Sequence, residues 1–220
     1  MKIDIISDAV CPWCYVGKKH LEKALAQRPG LVVDIHWYPY QLHPEAPLEG
    51  YDYRASIDRK YGRETIERMF AQITQVGRAT GIDFHLDRIA RGANTINAHR
   101  LLYWARQAGV QNAVCEAIFE AYFCAGRDIG DSETLVAIAA ANGMDANQIR
   151  SRLATDEDKD TVRELCTFAS RQGVSSVPQF IFDGGFTLGG AQHENVFLRM
   201  LDRAAEAAGN GQQCTTDSCL

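Results

Sequence analysis

Lys2-Ile3-Asp4-Ile5-Ile6-Ser7-Asp8-Ala9-Val10-Cys11-Pro12-Trp13-Cys14-Tyr15-Val16-Gly17 is the stretch on which the fold turns. Residues 2 to 7 are short, β-branched and stop at Ser7-Asp8, which predicts a buried strand. A helical pattern then runs from the Cys-Pro-Trp-Cys segment to about Gln27, and Pro29-Gly30 ends it. Pro12 suits the first helical position, because its missing N–H would be unbonded there anyway. Leu31 to Tyr38 predicts a second strand, with Val33, Ile35 and Trp37 on one face. Strand, helix, strand favours a parallel pair.

Two cysteines three positions apart at a helix start carry chemistry. Unpaired N–H groups and the helix dipole at that end stabilise negative charge. Cys11 falls at the cap, so its thiolate is favoured and its pKa is expected to fall. Cys14 lies one turn in, placed to attack a mixed disulfide formed at Cys11. An exposed attacking sulfur and a sheltered resolving one make the geometry of thiol–disulfide exchange. Stabilising the Cys11 thiolate stabilises the reduced form and makes the disulfide a better oxidant. Pro12 removes one N–H near the sulfur, and Trp13 offers apolar surface to a substrate chain.

The same spacing serves half of a zinc site, with Cys214 and Cys219 as the other two ligands. Zinc pairs usually lie on tight loops close in sequence, whereas these pairs stand at opposite ends of the chain. No metal is therefore expected.

From about Tyr51 to Gly173 no strand pattern is found, only helical segments. Candidates run from Arg63 to Thr80, from an Asn94-Thr95 cap to Gly109, and from Gln111 to Cys124. Ser132, Asp145 and Asp156 are read as caps of three more, the last ending at Gly173. Strand signals return at Val177 to Phe182. Asp183-Gly184-Gly185 reads as a hairpin turn and Phe186 to Leu188 as the return strand. A last helix is expected from about Gln192 to Ala208, followed by a polar, glycine-rich tail expected to be mobile. The two halves share one sheet only if the helices are an insertion into a single α/β domain. The expected division is residues 1–50 with 174–208 for the discontinuous domain, 51–173 for the helical insertion, and 209–220 for the tail.

Composition narrows the function classes. The 220 residues are 46% apolar, which excludes a disordered tail and a membrane protein. A net charge of −5, with no long basic run, argues against nucleic acid. The N-terminus lacks a secretory pattern, and no apolar run approaches a membrane span. Seven cysteines, an odd number, argue against a fully paired secreted scaffold. A cytoplasmic setting is the expectation.

Asp8-x-x-Cys11-Pro12-Trp13-Cys14-Tyr15-x-Gly17, Asn94-Thr95-x-x-Ala98-His99-Arg100 and Val177-Pro178 together resemble the DsbA-like thioredoxin-fold proteins, most of all the FrnE-like group. The resemblance covers nearly the whole chain. It implies a thioredoxin fold with an inserted helical domain, and disulfide oxidoreductase or isomerase activity on protein thiols and disulfides. No bound cofactor is expected, though glutathione is a candidate redox partner. The resemblance also implies that Pro178 is cis, with its loop packed against Cys11. The Val177 backbone edge would then face outward to pair with an extended substrate. From the residues alone, a trans proline that merely starts an edge strand is the alternative.

Other residues carry weaker signals. Cys115, Cys124 and Cys166 lie in apolar helical stretches and read as packing. His99 falls on the apolar face of its helix, either buried and hydrogen-bonded or close enough to the cleft to move protons. Asn94 and Thr95 read as caps rather than ligand contacts. Asp8 either caps the loop before Cys11 or raises the thiol's pKa, depending on distance. Cys214 and Cys219 are read as an accessory redox pair, with a static loop staple or unpartnered thiols as the alternative. A competing function is a glutathione-dependent isomerase or transferase resembling 2-hydroxychromene-2-carboxylate isomerase and kappa-class glutathione transferase. Such proteins carry one serine or cysteine at the active position, and two cysteines here favour disulfide exchange.

Overall fold

A computed structural model describes residues 1–213, with side chains through residue 207. Strand β1 spans Lys2–Ser7, helix α1 Pro12–Ala26 and strand β2 Asp34–Pro39. At the other end, β5 spans Gln179–Phe182, β6 Phe186–Gly189 and the last helix, α9, Glu194–Gln213. These strands form one sheet in the order β2-β1-β5-β6, with β1–β2 parallel and the other pairs antiparallel. The expected insertion is therefore present, since residues far apart in sequence share this sheet.

Alternation along β1 sorts the two faces. Ile3 and Ile5 are fully buried and pair with Phe182 and Phe180 of β5. Phe180 meets Phe197 of α9 edge-on at 4.7 Å, so this face is covered by α1 and α9. Gly17 of α1 lies so close that an added Cβ would stand 3.0 Å from the Phe180 ring and 3.2 Å from Pro178. That close approach accounts for the glycine after the two cysteines. Asp4, Ile6 and Ile181 point to the opposite face and line a groove with the end of helix α8, Lys159–Arg171.

Between β2 and α8 the chain is helical: α2 (Tyr53–Tyr61), α3 (Arg63–Thr80), α4 (Ile96–Gln107), α5 (Gln111–Phe119), α6 (Ser132–Ala141) and α7 (Ala146–Leu153). A π turn, Glu120–Cys124, continues α5. The sequence reading needs five corrections. A short antiparallel pair, β3 (Tyr51–Asp52) and β4 (Arg91–Gly92), lies inside the block expected to hold no strand. Two residues per strand are too few to show alternation, and the pair needs Gly92, where a Cβ would fall 2.3 Å from the Tyr51 ring. Helix α2 was not resolved as an element of its own. The cap of α6 is Asp131 rather than Ser132, its carboxylate accepting the Thr134 N–H at 2.9 Å. The cap of α8 is Asp158 rather than Asp156, in a left-handed conformation with φ 57°. Finally, α9 continues through Gly209 to Gln213, past the point where the tail was expected to begin.

Side chains of the insertion complete the sheet's edge. Gln111 of α5 accepts from the Trp37 N–H at 2.9 Å and donates to the Trp37 carbonyl at 2.9 Å. One amide thus stands in for a neighbouring strand on β2. Arg100 of α4, 1% exposed, donates to the carbonyls of Arg152, Thr155 and Glu157 at 2.7–2.8 Å and so closes the end of α7. Among the described residues no helix is long and apolar enough to cross a membrane.

Candidate active site

The end of β1 delivers Ser7 and Asp8, and the chain turns through Ala9 and Val10 to reach Cys11. Cys11 is the N-cap of α1, in extended conformation (φ −96°, ψ 109°), with Pro12 at the first helical position. The turn is closed by the Cys11 N–H donating to the Asp8 carbonyl at 3.1 Å. The Cys14 N–H donates to the Cys11 carbonyl at 3.0 Å. Both cysteines are thiols in this structure.

The expected contrast between an exposed and a sheltered sulfur is only partly found. Cys14 is fully buried, but Cys11 is only 5% exposed. The loop before β5 closes over it, and Cys11 Sγ lies 3.7 Å from the Val177 carbonyl oxygen. The Val177–Pro178 bond is cis, and Pro178 is buried beside the cysteine helix. Trp13, Pro12 and Val177 are half-buried around the sulfur.

Electrostatics separates the two thiols. The Cys14 side chain, as a hydrogen-bonding partner for a Cys11 thiolate, is the largest influence holding the Cys11 thiol below the ordinary cysteine range. Backbone N–H groups of Cys14 and Trp13 add to this, while burial and the nearby Asp8 charge oppose it. Burial pushes Cys14 well above the ordinary range. At neutral pH the first thiolate of the pair is therefore on Cys11. Burial likewise raises Cys115, lifts Cys166 to about 12, and lifts the half-buried Cys124 to about 11. These three thiols are poor nucleophiles, in keeping with a packing role.

Asp8 resolves both ways left open by the sequence: it organises the loop and it opposes the thiolate. Its side chain is 0% exposed. One oxygen accepts the Leu42 N–H at 2.8 Å, and the other lies 3.2 Å from His99 Nε2. His99, buried on α4, also reaches the Tyr40 carbonyl at 2.9 Å through the same nitrogen. Both partners are acceptors, so Nε2 carries the hydrogen. His99 is thus hydrogen-bonded in the core beside Asp8, and the structure places it at the back of the cysteine loop.

Asn94 does not contact the thiols. Its side chain donates to the Ala46 carbonyl at 2.6 Å and accepts the Ile96 N–H at 3.0 Å. It is both a cap for α4 and a clamp on the segment after β2, whereas Thr95 makes no side-chain cap bond. Cys214 and Cys219, and with them the accessory pair and the four-cysteine alternative, lie outside the described residues.

One feature near the site was missed. Lys18, one turn after Cys14, is 2% exposed and pairs with Glu22 and, at 2.5 Å, with Glu116 of α5. Tyr15 donates its hydroxyl to Glu116 at 2.8 Å. This ion cluster, built on a buried lysine, fastens the cysteine helix to the insertion. The Lys18–Glu22 spacing of four was visible, but Glu116 comes from another element and no local pattern announces it.

The chain matches the DSBA-like thioredoxin domain over residues 2–202. It is similar to a probable DsbA oxidoreductase of known structure from Streptomyces coelicolor, with 31% identity and a TM-score of 0.85 over 94% of this chain and 90% of that one. It is also similar to an uncharacterized Bacillus subtilis protein, YwbO, with 26% identity over 90% of this chain and 94% of the relative. The fold is shared with DsbM, a cytosolic disulfide reductase from Pseudomonas aeruginosa solved with GSH, at 15% identity and a TM-score of 0.64 over 97% of this chain and 100% of that one. A cysteine pair at a helix start on this sheet, in a chain matched nearly end to end, places the protein in the DSBA-like thioredoxin domain family.

Proposed function

We propose that the protein is a thiol–disulfide oxidoreductase or disulfide isomerase acting on protein disulfides, with Cys11 as the nucleophile and Cys14 as the resolving thiol. The observation that carries this reading is the placement of the pair at the N-terminus of α1, with Cys11 at the cap beside the Val177 carbonyl and Cys14 buried one turn in; the Cys14 side chain lowers the Cys11 thiol while burial raises Cys14. In the reducing direction the Cys11 thiolate attacks a client disulfide. One client sulfur leaves as a thiolate and takes a proton from water, and the other is held in a mixed disulfide with Cys11. Cys14 then loses its proton, attacks Cys11 Sγ, and releases the second client thiolate. Two electrons pass from the cysteine pair to the client. The oxidising direction is the reverse.

Pro178 and Val177 border the attacked sulfur, and the Val177 carbonyl is the backbone group that an extended client segment would meet. Pro12 and Trp13 supply the adjoining surface. Glutathione is proposed as the small thiol that resets the pair, a reading supported by the fold shared with DsbM. A cytoplasmic setting is proposed, supported by the fold shared with the cytosolic DsbM, and the FrnE-like group is the proposed subgroup. The alternative, a glutathione-dependent isomerase resembling 2-hydroxychromene-2-carboxylate isomerase, needs only one active-position residue and leaves the paired Cys14 without a task.

The test is trapping. Cys14→Ser should accumulate mixed disulfides between Cys11 and a scrambled disulfide substrate, and Cys11→Ser should accumulate none. Full turnover in the Cys14→Ser protein would overturn the assignment.

A further inference from the structure

The segment that covers Cys11 has little to hold it. Among the described residues, 175–177 make no backbone–backbone hydrogen bond, and the Val177 carbonyl meets only Cys11 Sγ, at 3.7 Å. The position of this segment is therefore set at its two ends. At one end the Val174 N–H donates to the Ala169 carbonyl of α8 at 3.2 Å. At the other the Pro178 carbonyl accepts the Gly190 N–H at 2.8 Å. Gly190 opens the connection from β6 to α9 and stands in the left-handed region, with φ 78°. The Gln192 N–H closes a tight turn on the Gly190 carbonyl at 2.9 Å, and Gln192 Nε2 donates to the Gly189 carbonyl at 2.9 Å. The Gln192 carbonyl meets α1, where His20 Nδ1 lies 2.7 Å from it. A carbonyl only accepts, so Nδ1 carries the hydrogen. His193 flanks the half-buried His20 ring, with centroids 5.6 Å apart. Hydrogen bonds thus run from the cysteine helix through His20, Gln192 and Gly190 to Pro178, and the chain from there returns over the Cys11 sulfur.

We propose that His20 is a positioning residue for client recognition: by holding the Gln192 carbonyl it fixes, through Gly190 and Pro178, the Val177 backbone edge that an extended client segment pairs with beside Cys11. This rests on the exchange reading above. His20 touches neither the sulfurs nor the client, and it exchanges no proton or electron in the reaction. Its contribution is to binding rather than to sulfur chemistry. A peptide disulfide presents backbone groups to Val177 and depends on the placement of that edge. A small disulfide without a peptide backbone has nothing to pair there and reacts with Cys11 regardless. Loss of a contact that serves bound client and transition state alike raises the half-saturating concentration and leaves the limiting rate in place.

The experiment compares the full chain with His20→Ala, His20→Gln and Gly190→Ala. His20→Ala removes the donor, and His20→Gln returns an N–H donor on a flexible side chain. Gly190→Ala puts a Cβ on a left-handed position and disturbs the same link from its other side, so the test survives if His20→Ala does not fold. Pre-reduced protein is mixed with an excess of a disulfide-bonded peptide or of hydroxyethyl disulfide, and formation of the Cys11–Cys14 disulfide is followed by mass. The half-saturating peptide concentration should rise at least about threefold in His20→Ala and Gly190→Ala, as expected for one lost hydrogen bond, with the limiting rate and the hydroxyethyl disulfide rate within about twofold of the parent. His20→Gln should return the peptide value close to the parent. An unchanged half-saturating concentration in the folded variants, an equal loss toward both disulfides, or no recovery in His20→Gln refutes the role of His20 and leaves the proposed function standing. Absence of exchange with either disulfide in the unmodified chain refutes the function and the inference together.

Discussion

Cys14→Ala isolates the contact that most favours the Cys11 thiolate. The Cys14 thiol, as a hydrogen-bond donor to the Cys11 thiolate, is the largest influence holding that group below its ordinary range. Hydrogen bonds to charged groups are worth about 1.5–3 kcal/mol, and a thiol is a weak donor, so the lower end applies. About 1.4 kcal/mol corresponds to roughly one pKa unit. The Cys11 midpoint should therefore rise by about one unit in Cys14→Ala. The helix terminus remains, so the rise is bounded. Below both midpoints the thiolate fraction falls about tenfold, but a more basic thiolate is about threefold more nucleophilic, so the net loss is about three- to fourfold. The assay is mass-resolved alkylation of Cys11 across pH. Cys14→Ser keeps an O–H donor at the same place and should stay close to the parent midpoint. An unchanged or lower midpoint in Cys14→Ala would show that backbone N–H groups and the dipole alone govern Cys11, and would refute this reasoning.

Alkaline pH should destabilise the reduced protein. Cys14, Cys115, Cys124 and Cys166 all have folded values raised by burial, so their stabilisation is intact below the unfolded value of about 8.5 and is lost as pH climbs toward the folded values. By pH 10 the fully buried Cys14 and Cys115 should each have withdrawn about 2 kcal/mol, at about 1.36 kcal/mol per unit. Cys11 has the opposite sign: its lowered value adds stability as pH rises from its folded midpoint to about 8.5, so urea unfolding in reductant should show a maximum near pH 8 rather than a plateau. Arg100→Ala takes the guanidinium from three carbonyls, leaving those of Thr155 and Glu157 stranded while that of Arg152 keeps the Thr155 N–H and hydroxyl, and should cost about 2–3 kcal/mol in denaturant unfolding. A loss under about 1 kcal/mol would mean that water replaces the guanidinium freely.

Local patterns in the chain determined the elements that carry the chemistry. The β-branched run before Ser7, the proline after Cys11 and the glycines at helix ends each act within a few residues, so β1, α1, α3, α4 and α7 were legible with small boundary errors. The cysteine spacing likewise specified a pair on one helical turn. Contacts between distant segments were legible only as far as the insertion requires one shared sheet. Tertiary structure alone decided that Cys11 is nearly covered, because the covering loop lies at Val177, far along the chain. It decided that β3 and β4 pair, since two residues on each side hold no alternation and close approach at Gly92 sets the register. It also decided how Asp8 is held. A carboxylate opposes a nearby thiolate by an amount that its distance and burial set. Here burial is complete, and His99 and Leu42 come from segments that the local sequence around Asp8 does not contain.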